Sequence, residues 1–362
     1  MAYLQGLMSC SAEIVLTTHF SGMGTSEMAL AMIEDMQQQQ HGISLPMRVH
    51  SATDFNQDCR KVLMSYQPPH GPEHVFGDIL DRLPEQAKDR LIARQLYYKQ
   101  QFEKASGNGT SPHGGVSKRN LAREVGNRFI QETINILLQE RGMLCDQAFC
   151  YRHECNCPIF PDGLAGHQFH LEIAGSVCTP WSLQGAGLGW LDPASLPFMV
   201  WAIQLKKAQP HAFLHECTPS FPVDVLAQIV DEFKVEAATF CPTDFGIPQS
   251  RRRVYCKGSH ITKVTRVLDY KMTVLQEAFF RVPAIDGTAY FCAPAAEVQA
   301  YISRWLRRAG FPRIHEARPM RAAMCSALGT RCGWRDTRTL RGPTATARGS
   351  WSISRRTVGT GA

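Results

Sequence analysis

The 362-residue chain holds no run of about 18 apolar residues, the length a helix needs to cross a bilayer, so a membrane-spanning protein is not expected. Met1 to Cys10 lack the basic start and long apolar stretch of a secretory signal, which points to an intracellular protein. The 13 cysteines are odd in number and lie in a large chain, so they read as reduced thiols rather than a disulfide framework. Lysine is missing from Tyr301 to Ala362, where 13 arginines stand against 2 acids. That stretch carries +11 of a chain whose net charge is +7, leaving the body mildly acidic at −4. Net charge therefore does not by itself designate a polyanion-binding protein, because a gripping surface needs its cations on one face. What is present, 44% hydrophobic and 20% charged residues, suits a globular domain with a sizeable core.

Along the chain, residues 12–20 are rich in β-branched and aromatic types and run into Ser21-Gly22-Met23-Gly24, then a helix from Thr25 to Met36 that sets Met28, Met32 and Met36 on one face. Strands are expected at 47–52 and 74–76, with a helix at 57–64 between them. Two long polar helices follow, 86–104 and 121–141, separated by a Gly- and Ser-rich spacer. Strands at 169–174, 211–214, 235–239 and 253–257 resume the alternation, with a helix at 196–207. Such alternation predicts an α/β fold with a doubly wound, mostly parallel sheet, and no internal repeat interrupts it. The expected organisation is a cofactor-binding half over 1–80, a helical, cysteine-containing insertion over 81–166 and a catalytic half over 167–258. Beyond these, 259–300 reads as the remnant of a target recognition region and 301–362 as an Arg-rich tail of low order.

In the first half, Phe20, Ser21, Gly22, Met23, Gly24 and Thr25 end a strand and open a helix, where glycines let the backbone turn and approach a ligand. Asp54 follows the second strand, 30 residues past Gly24, with Phe55 beside it, placed to reach ribose hydroxyls. Asp78 and Ile79 follow the third strand, suited to an adenine edge. Each acid taken singly also reads as a loop or helix-cap residue. Their order resembles the S-adenosylmethionine pocket of class I methyltransferases. A nicotinamide dinucleotide site is the rival, but its fingerprint puts a third glycine where Glu27 stands.

In the second half, Gly175-Ser176-Val177-Cys178-Thr179-Pro180-Trp181-Ser182 puts a cysteine just past a strand end. The next strand ends in His215-Glu216-Cys217, and Gly246-Ile-Pro-Gln249-Ser-Arg251-Arg-Arg253 comes later. In isolation these read as a small buried thiol, a surface acid and a solvated basic loop. In this order they resemble the ordered signature of the cytosine-5 DNA methyltransferases, over roughly residues 12–80 and 169–258. The resemblance implies a Cys178 nucleophile, a Glu216 acid and the paired arginines Arg251 and Arg253. Carbon 5 of cytosine is a poor nucleophile until a thiolate adds at carbon 6. A carboxyl near ring nitrogen 3 and an arginine near the ring carbonyl stabilise the charge so created. Arg253 is expected at the carbonyl, and Arg251 at the loop or beside Glu216. The resemblance also assigns Val177 and Leu196 to the S-adenosylmethionine pocket. It further implies double-stranded DNA as partner, a flipped-out target base and, for a eukaryotic chain, a nuclear location.

The chain departs from the family pattern in three places. Val177 replaces a proline, His215-Glu216-Cys217 replaces Glu-Asn-Val, and no Gly-Asn motif follows Arg253, so a divergent or C-terminally truncated member is expected. Gly126-Asn127, ahead of the amphipathic stretch 129–138, is an alternative place for that motif. Cys145, Cys150, Cys155 and Cys157, with His153 among them, are enough ligands for a zinc site, though not at a paired Cys-x2-Cys spacing. Two other functions remain open at this point: an RNA cytosine methyltransferase acting on tRNA, and an inactive scaffold that keeps the fold.

Overall fold

The computed structural model describes residues 13–42, 46–107, 114–139, 144–182, 185–247 and 249–264, together with 272 and 300. The chain divides into units Met1–Ala289 and Tyr290–Ala362, and every element below belongs to the first. Nearly all of the expected recognition remnant at 259–300, and the whole Arg-rich tail at 301–362, lie outside the described residues.

Nine strands form one sheet: β1 (Glu13–His19), β2 (Met47–Thr53), β3 (His74–Phe76), β4 (Gln147–Cys150), β5 (Cys155–Pro158), β6 (Gln168–Gly175), β7 (Ala212–Cys217), β8 (Phe233–Phe240) and β9 (Arg253–His260). Their spatial order is β5-β4-β3-β2-β1-β6-β7-β9-β8. The five central strands, β3 to β7 across that order, are parallel, whereas β9 runs antiparallel between β7 and β8. The chain builds outward from β1 to β3, then returns to lay β6 on the other side of β1. That reversal makes the carboxyl ends of β1 and β6 a topological switch point, where open α/β sheets leave a crevice for ligands.

The helices are α1 (Thr25–His41), α2 (Gln57–Ser65), α3 (Glu85–Ser106), α4 (Gly114–Gln139), α5 (Leu196–Ala208) and α6 (Val223–Ile229). Helix α5 reads Leu-Pro-Phe-Met-Val-Trp-Ala-Ile-Gln-Leu and is buried from Phe198 through Lys206. A helix apolar on all sides must be covered on all sides. Trp201 stacks on His215 of β7, with ring centroids 5.0 Å apart, and meets Phe213 edge-on at 5.9 Å. Helix α1 packs through few of its side chains. Its methionine face, Met28, Met32 and Met36, is exposed, and Glu27 is its buried residue.

The sheet below the switch point is polar. Glu172 of β6, fully buried, accepts from Trp201 Nε1 at 2.9 Å and pairs with His19 Nε2 at 2.9 Å. Arg82, also buried, donates to Thr53 Oγ1 at 2.6 Å and to Gln204. Mutual pairing is what makes burial of these charges tolerable.

The segment expected as a helical insertion contains α3 and α4, and α4 starts seven residues before its expected first residue, Leu121. It also contains the β4–β5 hairpin, which extends the sheet beyond β3. Four-residue strands rich in Cys, Asn and Gln carry no period that a sequence reading can detect. Gly126, the alternative place for a Gly-Asn motif, faces Trp190. A Cβ there would stand 3.4 Å from Trp190, because α4 packs on α3 and on the Gly189–Leu191 turn.

Candidate active site

The glycine turn after β1 is held from the neighbouring strand. Ser21 Oγ accepts from Thr53 N at 3.1 Å, and Gly22 N donates to Asp54 Oδ2 at 2.8 Å. The other carboxylate oxygen of Asp54 accepts from Asn56 N at 2.8 Å, and Asn56 in turn caps α2. Gly22 (φ +56) would carry a Cβ into open space with nothing within 4 Å, so the turn presents bare backbone to whatever occupies the crevice. Gly24 (φ +86) is glycine for a different reason. A Cβ there would lie 2.5 Å from the Tyr66 ring, whose hydroxyl donates to Met23 O at 2.6 Å. Met23 and Phe55 are exposed, Phe55 with 68% of its surface accessible. Phe20 packs on the main core at φ +55, and Thr25 opens α1. Asp78 caps the Ile79–Arg82 turn through Leu80 N at 3.0 Å, and Ile79 is buried beneath it. Glu27 turns inward to Thr18, and burial pushes its carboxyl pKa up. A helix–strand contact carrying a buried side chain is the opposite of what the third glycine of a dinucleotide fingerprint provides.

Across the switch point, Gly175 pairs in register with Glu216. Glu216 Oε2 comes within 3.6 Å of where a Gly175 Cβ would stand, and Cys178 follows three residues later, half-buried against the same core cluster as Phe20 and Trp181. Ser176 Oγ is 2.8 Å from His215 Nε2 and 3.9 Å from Cys217 Sγ, which ties the loop to β7. Trp181 N and Ser182 N both donate to Cys178 O, at 3.1 and 2.9 Å, closing a tight turn after the cysteine. The antiparallel β9 brings a segment distant in sequence to this edge. Cys217 pairs with Val254 and Glu216 with Tyr255, so Arg253 Nε reaches Glu216 Oε1 at 2.9 Å. Arg251 is exposed just before β9, and its charge acts on Tyr255 together with those of Glu216 and Arg253. Val177 is half-buried in the loop, and Leu196 is buried in the core at the start of α5.

No protein-family model matches the chain. Among characterised proteins, the Type II methyltransferase M.NgoBI of Neisseria gonorrhoeae is 33% identical over 111 residues, 28% of this chain and 34% of that protein. The Type II methyltransferase M1.ScrFI of Lactococcus lactis subsp. cremoris is 30% identical over 115 residues, 29% of this chain and 30% of that protein. Over these stretches the chain is similar to Type II methyltransferases, a distant and partial likeness. The matched stretch spans about a third of those two proteins' lengths. Among solved structures, the S. pombe Dnmt2 methyltransferase aligns with a TM-score of 0.37 at 13% identity, covering 76% of this chain and 57% of that one.

The departures from the methyltransferase pattern have structural counterparts. Where the family has proline before the cysteine, Val177 follows Ser176, whose bond to His215 restrains the loop from the side instead. Both neighbours of Glu216 stay uncharged. Burial pushes the His215 pKa down to about 3 and the Cys217 thiol up to about 11. Cys217 thus remains a neutral thiol next to Glu216.

Three contributions escaped the sequence reading. Ser176 and His215 act through a bond between strands that no spacing announces. Arg119 and Arg123 of α4 line a cavity of about 530 Å³ together with Pro180, Trp181 and Ser182 of the cysteine loop, so α4 supplies charge beside that loop. The third concerns the metal candidates. Cys145 and Cys155 are not drawn into one cluster with Cys150 and Cys157; His74 and His153 are. Cys155 is exposed at the start of β5, with its Sγ 3.9 Å from that of Cys157, and His74 arrives from β3, more than 70 residues away in sequence.

Proposed function

We propose that the protein transfers a methyl group from S-adenosylmethionine to carbon 5 of cytosine in DNA through a covalent Cys178 adduct. The observation that carries this reading is the convergence at one sheet edge of the open glycine turn, the Cys178 loop and the Glu216–Arg253 pair, on either side of the switch point. The residues fit the cofactor: Gly22 leaves bare backbone, Asp54 and Asp78 follow β2 and β3, and the exposed Phe55 ring offers an apolar face. When bound, S-adenosylmethionine supplies an electrophilic methyl group.

The chain's own residues do the rest. Cys178, as thiolate, adds to carbon 6 and drives electron density toward carbon 5 and ring nitrogen 3. Glu216 handles the proton at nitrogen 3. Its Oε1 is held by Arg253, and its Oε2 lies over Gly175 on the side of the cysteine loop. Arg253 is thereby assigned to positioning Glu216, the reverse of the sequence expectation, and the exposed Arg251 to the ring carbonyl. Carbon 5, made nucleophilic by this addition, would take the methyl group and leave S-adenosylhomocysteine; its proton then passes to water, the C–H electron pair restores the 5,6 double bond, and the Cys178–carbon 6 bond breaks to release the thiolate. Extrusion of the base from its stack is required for any of this to occur. Arg119 and Arg123 offer phosphate-neutralising charge beside the loop.

A duplex containing 5-fluorocytosine tests the reading, because fluorine at carbon 5 blocks release and traps the adduct. Incubation with labelled cofactor is expected to give a denaturation-resistant protein–DNA species that Cys178→Ala abolishes. An adduct with tRNA and none with DNA overturns the DNA assignment. No adduct on either, or methylation undiminished in Cys178→Ala, overturns the mechanism.

A further inference from the structure

The β4–β5 hairpin is poorly supported by ordinary packing. Among the described residues, one register pair, Phe76 with Cys150, and a bond from Tyr151 N to Val75 O join it to β3, Arg152 reaches carbonyls at the end of α2, and the buried cluster beneath it is small: Phe76, Cys150, Cys157 and Ile159, flanked by Cys145, Ala148 and Phe160. Two strands of four residues do not hold together in water without further help.

That small cluster is also where four metal-ligating side chains meet. The donor atoms of His74, Cys150, His153 and Cys157 all lie within 4.8 Å of one another. Zinc bonds of about 2.3 Å to sulfur and about 2.0–2.1 Å to nitrogen place tetrahedral donors about 3.6 Å apart for sulfur and nitrogen and about 3.8 Å for two sulfurs. His153 Nδ1 stands 3.6 Å from Cys150 Sγ and 3.3 Å from Cys157 Sγ. His74 Nδ1 is buried with no hydrogen-bond partner among the described residues. The Val75 amide donates to Cys150 Sγ at 3.4 Å, the kind of outer contact that supports a bound thiolate. The alternative grouping of His74 with His50 and Glu73 is weaker, since Glu73 is already paired with Arg48 at 2.9 Å.

We propose that His74, Cys150, His153 and Cys157 form a closed, tetrahedral zinc site that fastens the hairpin to β3. Two thiolates and two imidazoles with no position left over match structural rather than catalytic zinc. Fastening here has a consequence for the crevice. Asp78 lies four residues beyond His74, and the Tyr151 ring between the hairpin's strands sits 3.1 Å from where a Gly77 Cβ would be. The metal therefore stiffens the strand end that carries Asp78. The site stands independently of the methyl-transfer reading, since none of its ligands takes part in that chemistry.

Metal content of the purified full chain, expressed with zinc, is expected to be about one zinc per chain. Cys157→Ser is expected to bring this close to zero, whereas Cys155→Ser, two residues away and exposed, retains it. Cobalt(II) added to the zinc-stripped wild type provides a measurement that does not depend on a variant folding. It is expected to give the intense visible bands and thiolate charge transfer of a tetrahedral two-sulfur site. Absence of stoichiometric metal together with a weak octahedral cobalt spectrum overturns the proposal, and so does loss of zinc from Cys155→Ser as complete as from Cys157→Ser.

Discussion

Replacing Arg253 with alanine separates folding from chemistry more sharply than any other change at this site. The Arg253–Glu216 pair is partly open to water, with 16% and 32% of the two side chains accessible, so solvent screens it. A pair of this kind contributes about 1 kcal/mol or less to stability. In a domain of this size that corresponds to a fall in Tm of about 2–4 °C. The catalytic loss is expected to be far larger. Without Arg253, Glu216 keeps no fixed oxygen, and help of the general-acid type, about 10²–10⁴-fold, is largely forfeited. Single-turnover methyl transfer to whichever nucleic acid forms the trapped adduct, measured alongside thermal denaturation, provides the comparison. As a positioning residue Arg253 should act on kcat and leave the KM for cofactor unchanged. Arg253→Lys should recover part of the rate because it restores charge without the Nε geometry. A fall in rate below about threefold, or a loss that merely follows Tm, refutes this account of Glu216.

Asp54→Asn trades one acceptor for a donor, so it cannot take both the Gly22 and Asn56 amides; a stability loss of about 1–2 kcal/mol and weaker cofactor binding by calorimetry are expected. Gly22→Ala and Gly24→Ala should divide the roles of the turn. Gly24→Ala costs about 1–3 kcal/mol in urea denaturation from strain plus the Tyr66 clash, whereas Gly22→Ala costs less stability but more cofactor affinity. The pH dependence of stability follows mainly from His215, His50 and His170, whose pKa values burial pushes down to about 3, about 3 and about 4. All three are neutral in the fold and gain protons on unfolding below about pH 6.5. Stability is therefore fully present above that value and should decline by up to about 4 kcal/mol per pH unit as pH falls toward 4, seen as a falling Tm. His215→Phe should flatten that slope, and an unchanged slope would show that the protonation of His215 is not linked to unfolding.

Most central strands could be read from the amino-acid order because each is a short β-branched or aromatic run that ends at a glycine, an acid or a cysteine. Helix α5 was equally readable, since Phe198 to Leu205 is apolar apart from Gln204. The β4–β5 hairpin was not, because Gln147–Cys150 and Cys155–Pro158 carry no alternation and owe their extended form to neighbouring strands. Helix α1 was readable as a helix, but not the exposure of its methionines. A row of methionines every four residues shows which face is apolar but not whether anything covers it.

By itself, the order of residues determined the alternation that winds the sheet, the glycine turn, and the succession of cysteine, glutamate and arginine motifs. These are local: strand propensity, turn geometry and chemical type are properties of neighbours along the chain. Which partner each group meets was decided only by tertiary structure. The antiparallel entry of β9 gave Arg253 rather than Arg251 to Glu216, and the pairing of β6 with β7 joined Ser176 to His215. The arrival of β3 beside the hairpin put His74 within reach of the Cys150 and Cys157 sulfurs. Strand register converts sequence separations of tens of residues into contacts of about 3 Å, and register is set by the whole sheet, not by any one segment.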